Sequence, residues 1–210
     1  MKRIIKCFYY GAVSLVMLFI YSINIYAASD AQTKEFMNNH SEILKSIKEC
    51  SECMDKKGDI RLDFLEEAIY FNDIQVCMAE NIIKCGDNKD VRNIAKKLIK
   101  SSMECTAELN ELLYSISKNP VIDKEIEEKY IEDYKQLYSK MLINLQCTRD
   151  DENIEKIFLR ASIKQHEGLI NLTDIFNKHC KDEEMLKLSK DIKDKNSKEI
   201  KNLKTAFKKL

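Results

Sequence analysis

Laid against itself at an offset of 94 residues, the chain pairs like with like without a gap. Phe64-Leu65 meets Phe158-Leu159, Ile69 meets Ile163, Val76 meets Ile170, Lys84 meets Lys178, Ile94 meets Leu188, Leu98 meets Ile192 and Leu109 meets Leu203; upstream, Cys53 meets Cys147. An unbroken register of this length implies a helical unit that was duplicated and packs against its own copy. It predicts two similar halves, residues 28–118 and 119–210, forming one domain behind a leader of residues 1–27.

The leader reads as an export signal. Met1-Lys2-Arg3 and Lys6 give a positive start, an apolar run follows from Phe8 to Ile25, and Ala27 and Ala28 offer small residues at a cleavage point. The competing reading is a retained membrane anchor; the Tyr, Ser, Gly and Asn within the run and the small residues after it favour removal. Cys7 precedes the apolar run and is not placed as a lipoprotein cysteine. The expected location is periplasmic or secreted, with no membrane contact after cleavage. The leader takes three basic residues from a balance of 35 against 35, leaving a mildly acidic chain. That charge and export both argue against a nucleic-acid partner; a protein partner stays open and unidentified.

With one Pro and four Gly in 210 residues, the chain is predicted to be all-α. Gly58, Gly86-Asp87-Asn88 and Asn119-Pro120 fall between periodic stretches. They divide the chain into helices near Ala31–Lys56, Ile60–Cys85, Lys89–Ser117, Asp123–Cys147, Asp151–Lys178 and Asp182–Lys208. Gly168 is the exception, placed mid-helix where it permits close backbone approach. Val91, Ile94, Leu98, Ser102, Cys105, Leu109, Leu112 and Ile116 advance in steps of three and four, the stripe of a helix facing a bundle core. The copy, Met185, Leu188, Ile192, Asn196, Glu199 and Leu203, agrees at its ends and turns polar in the middle. Short connections make neighbours antiparallel, so the expected architecture is an up-down bundle of two three-helix repeats. The lysines between Lys187 and Lys209 fall mostly on the outer face.

Phe64-Leu-Glu-Glu-Ala-Ile through Met78-Ala79, then Lys84-Cys-Gly-Asp, Ile94-Ala95 and Leu98-Ile99-Lys100, resemble a known pattern, echoed by Phe158-Leu-Arg-Ala-Ser-Ile, Gln165-His166-Glu167-Gly168 and Ser197 to Leu203. The pattern is similar to that of a ferritin-like domain-of-unknown-function family of exported bacterial proteins with copper-associated, CopM-like members. The resemblance implies a ferritin-like bundle in two divergent copies and copper as the group bound. The family's His-His pair falls on Phe71-Asn72 and Gln165-His166, its following Met on Met78 and Leu172, and its later Met on Leu109 and Leu203. His166 and Met78 are thus the ligands that carry over.

The residues themselves leave alternatives. Leu159, Ile163, His166, Ile170 and Thr173 share a face, so the imidazole points inward, as does its repeat mate Asn72. The two are expected either to be satisfied structurally or to flank a ligand. Cys50-x-x-Cys53-Met54 places three soft donors in one helical turn, with Cys77-Met78 and Met103-x-Cys105 elsewhere. In an exported chain the same cysteines invite disulfides. Helix directions place Cys53 and Cys180 at one end of the bundle and Cys85 and Cys147 at the other. They predict bridges Cys53–Cys180 and Cys85–Cys147, with Cys77 and Cys105 at ordinary small apolar positions. No Glu-x-x-His precedes His40, His166 or His179, where Met37, Ile163 and Phe176 stand, so a di-iron centre is not expected. Glu66-Glu67 diverge on consecutive helix positions and read as solvent-exposed. The sequence points away from an enzyme. It points to an exported bundle that binds a soft metal such as copper, or to a structural or protein-interaction module of the envelope.

Overall fold

The computed structural model describes residues 30–49, 56–149 and 153–210. The leader and the donors Cys50, Cys53 and Met54 lie outside the described residues, as does one partner of the expected Cys53–Cys180 bridge. Six α-helices follow one another without a strand among the described residues: α1 (30–49), α2 (Ile60–Cys85), α3 (Lys89–Ser117), α4 (Lys124–Gln146), α5 (Ile154–His179) and α6 (Glu183–Phe207), with a 3-10 turn at Cys147–Arg149. The helices α2 and α3 begin at residues 60 and 89, and α5 and α6 at 154 and 183, so both starts recur at the 94-residue offset.

Local chemistry sets those starts. Asp59, Asn88, Asp123, Asn153 and Asp182 each sit before the first turn with a side-chain oxygen accepting from a backbone N–H that the helix leaves unpaired. Asp59 also takes the Val121 N–H at 2.7 Å and the Arg61 guanidinium, whose other arm reaches Asp182 at 3.0 Å. One cap thereby ties the starts of α2 and α6 to the α3–α4 connection. Just before α2, Gly58 takes φ +80, and its carbonyl accepts from Asp123 N of the α3–α4 connection at 2.8 Å.

One buried cluster draws on all six helices. α2 packs on α3, α5 on α6, α2 on α5, and α4 on α5. The stripes read on α3 and α6 face inward as expected, and the α6 lysines stay mostly outside. Phe64 of α2 stacks on Phe176 of α5 with centroids 4.1 Å apart. Gly168 is where the middle of α5 comes closest to its neighbours. A Cβ there would lie 2.7 Å from the Met141 sulfur and 2.8 Å from the Phe71 ring. Among the described residues no helix is long and apolar enough to cross a membrane.

Two expectations need correction. Glu67 is buried, because Tyr134 of α4 covers it and donates its hydroxyl to the carboxylate. Cys77 is exposed on α2 rather than packed in the core.

Gly168→Ala tests the close approach. Alanine favours a helix interior by about 1 kcal/mol over glycine, whereas overpacking costs about 1–3 kcal/mol. We expect a net loss of about 1 kcal/mol or more in urea unfolding, where an uncrowded helical glycine would gain stability.

Candidate functional site

α2 and α5 meet at their midpoints, and Gln165 Nε2 donates to the Phe71 carbonyl at 2.7 Å, joining two residues 94 apart in sequence. The next residues, Asn72 and His166, both line a small cavity of about 20 Å³ between α2, α3, α5 and α6. The lining falls into five pairs at the same offset: Asn72 and His166, Leu98 and Ile192, Ser101 and Lys195, Ser102 and Asn196, Cys105 and Glu199. Space of that size suits one water molecule or a single ion.

His166 is 8 % exposed, and its Nδ1 lies 2.6 Å from Asn196 Oδ1. The Asn196 amide nitrogen is committed to the Ile192 carbonyl at 2.7 Å, so the amide oxygen must face the ring. Nδ1 therefore carries the proton and donates, leaving Nε2 as a bare lone pair. That nitrogen is buried without a hydrogen-bond partner. Burial pushes the imidazole pKa below its usual value, against smaller upward pulls from Asn196 and Glu199, so the ring is neutral. A neutral imidazole held by its other nitrogen is how a protein prepares a histidine ligand.

Cys105 faces the same space from α3, half-buried. Burial pushes its thiol up, and the Lys195 ammonium draws it partly back. The Asn72 amide also acts on this thiol, although its nitrogen closes no well-formed hydrogen bond. An imidazole, an amide and a thiol thus line one small space.

Met78, the other ligand implied by the resemblance, is buried in the apolar core and does not line the cavity, so the structure does not bring it to His166. Phe71, where the resemblance would place a histidine, packs edge-on against Tyr138. Among the described residues no group of three or more His, Cys, Asp or Glu side chains is placed to hold a metal. The donor set that the resemblance implies is not assembled; His166 and Cys105 line one cavity. Sequence reasoning counted Cys105 among scattered soft donors, beside Met103, or as an ordinary packing residue, and did not place it with His166. The signal that would have found it was the polar middle of the paired stripes, where Ser102 and Cys105 answer Asn196 and Glu199.

The expected Cys85–Cys147 bridge is not formed, and both residues stand as free thiols. They do lie toward the same end of the bundle. However, Cys85 turns inward, buried, with its sulfur 3.7 Å from Asn81 Oδ1, while Cys147 caps α4 facing solvent. Cys180 is a free, buried thiol at the opposite end, where Asp182 N lies 3.4 Å from its sulfur.

The family model described as "Domain of unknown function (DUF305)" matches residues 62–207, and the chain belongs to that family. No curated protein and no solved structure matches it.

Replacing Asn196 by Leu tests the tautomer. It leaves His166 Nδ1 without its acceptor, and an unpaired buried donor costs about 1–3 kcal/mol. We expect that loss in denaturant unfolding. In ¹⁵N NMR the His166 ring should read as the single Nδ1–H tautomer in the unsubstituted chain and lose that preference in the variant.

Proposed function

We propose that this chain is a non-catalytic helical bundle of the cell envelope that binds one soft metal ion of the Cu(I) type in the cavity between α2, α3, α5 and α6. The observation that carries this reading is the buried, unpartnered Nε2 of His166 in a space shared with Cys105. Imidazole and thiolate are donors that suit Cu(I), whereas structural Zn²⁺ needs four ligands and Ca²⁺ or Mg²⁺ needs oxygens. Two soft donors are enough for Cu(I) chemistry in general. The leader-like residues Met1 to Ala28 support an envelope location.

The chain's own part is preparation. Asn196 holds the imidazole by Nδ1 and leaves the Nε2 lone pair uncommitted. Cys105 must lose its proton to act as a thiolate donor, and Lys195 lowers the cost of doing so. A second reading, an interaction module, draws on apolar side chains exposed about the α3–α4 connection: Tyr114, Val121 and Ile122.

Anaerobic Cu(I) titration against a chromophoric chelator separates these readings. We expect one Cu(I) per chain, with affinity falling about tenfold or more in both Cys105→Ser and His166→Asn. Uptake that survives both variants and vanishes with Cys50→Ser or Cys53→Ser would move the site to the C-x-x-C segment. No competitive uptake in any form leaves the interaction module.

A further inference from the structure

The seam between α2 and α4 holds acids that neither the core nor the cavity uses. Asp63 and Glu67, one turn apart on α2, are buried, and Glu127 of α4 is buried beside them. Asp63 Oδ1 accepts from Lys57 N at 3.2 Å; its Oδ2 meets no N–H or O–H donor. The side-chain partner of Asp63 is the Glu127 carboxyl, which also accepts from Gly58 N. Two carboxyls in hydrogen-bonding contact hold together only with a proton between them. Glu67 accepts from Tyr134, and the fully buried Tyr130 hydroxyl nearby has no partner.

At the 94-residue offset, Asp63 and Glu67 answer to apolar residues. The repeat mates of Asp63 and Glu67 are Ile157 and Ala161, both buried on α5. The mates of Tyr130, Tyr134 and Tyr138 are Phe36, His40 and Leu44, buried on α1. Matching positions are filled by largely apolar side chains in one half and by acids and tyrosines in the other.

We propose that the α2–α4 seam is a proton-operated latch: protonated, Asp63 against the Glu127 carboxyl and Glu67 against Tyr134 clamp α4 and residues 57–58 onto α2, and ionised, Asp63 and Glu67 loosen that clamp. Burial raises both Asp63 and Glu67 to about 7. For Asp63 the neighbouring Glu127 and Glu66 add to the rise and the Lys57 N–H opposes it; for Glu67 Tyr134 opposes and Glu66 adds. The charged side chains acting on the pair are thus acidic. Lys57 spends its ammonium on Glu66 at 3.4 Å, and from α5 His179 sits against the Tyr130 ring with its Nε2 on Asp133.

The sign follows from the raised values. Between about pH 4 and pH 7 the folded chain holds protons on Asp63 and Glu67 that the unfolded chain has released, so stability falls as pH rises through that window and is level above it. His166 opposes, because its buried neutral ring favours the fold above its unfolded value near 6.5 and loses stability as pH falls. Asp59 and Asp182, held low beside Arg61, act only below about pH 4.

Thermal unfolding followed by circular dichroism from pH 8 to pH 5, with a chelator present, tests the latch. We expect Tm to rise by several degrees on acidification. In Asp63→Asn/Glu67→Gln it should be higher than the unsubstituted chain at pH 8 and lose that rise. A flat or falling Tm in the unsubstituted chain, or an unchanged slope in the double variant, overturns the proposal. Carboxyl ¹³C titration of the unsubstituted chain decides the matter should the variant not fold: midpoints of Asp63 and Glu67 near 4 sink it, and midpoints near 7 support it.

Discussion

The close approach of α2 and α5 governs what the other helices can do. Only a hydrogen at Gly168 leaves room for the Phe71 ring and the Met141 thioether. With the two helices that near, polar side chains at their interface have no water to turn to and must be met within the protein. Gln75 donates to Ser162 at 3.2 Å, Gln165 to the Phe71 carbonyl, and His166 pairs with Asn196. The satisfaction is incomplete: Gln75 Oε1, Gln165 Oε1, Asn72 Nδ2 and His166 Nε2 stay buried without partners. An apolar seam would tolerate small slips of one helix along the other. This one would break both Gln75–Ser162 and Gln165–Phe71 at once, so the polar strip fixes the register that brings Asn72 and His166 to one cavity.

Much of this was legible from local chemistry. The α2 and α3 bounds agree with the sequence reading, because Gly58, Gly86 and the capping Asp59 and Asn88 sit where a helix must stop or start. The α5 start lies three residues later than the acidic run at Asp151 suggested, because Asn153 supplies the cap. What was not legible depends on partners distant in sequence. Glu66 and Glu67 diverge on the helix as neighbours must; which of them is buried is decided by Tyr134, 67 residues on. Helix direction placed Cys85 and Cys147 toward one end, but a disulfide also needs both side chains to face each other, and Asn81 holds Cys85 turned inward. The inward face of His166 was correctly read. Its partner was not: the stripe of α6 was read as turning polar at Asn196 and Glu199, but Asn72 was the polar group weighed opposite His166, and it is Asn196 that meets the ring.

The two polar centres differ in how they use the internal register. In the cavity, the lining residues fall in pairs 94 apart that differ in chemistry: histidine with asparagine, thiol with carboxylate, serine with lysine. Identical pairs would supply two copies of one donor; unlike pairs supply an imidazole, a thiol and a nearby ammonium around the same small space. The seam departs further, with acids on α2 where α5 carries Ile157 and Ala161. A bundle of this kind can stay closed with apolar side chains throughout, and burying a carboxyl works against the fold whenever it ionises. Placing three acids and three tyrosines between α2 and α4 therefore makes the hold on α4 depend on solution pH, while the α2–α5 contact beside it rests on aromatic stacking and neutral hydrogen bonds that do not.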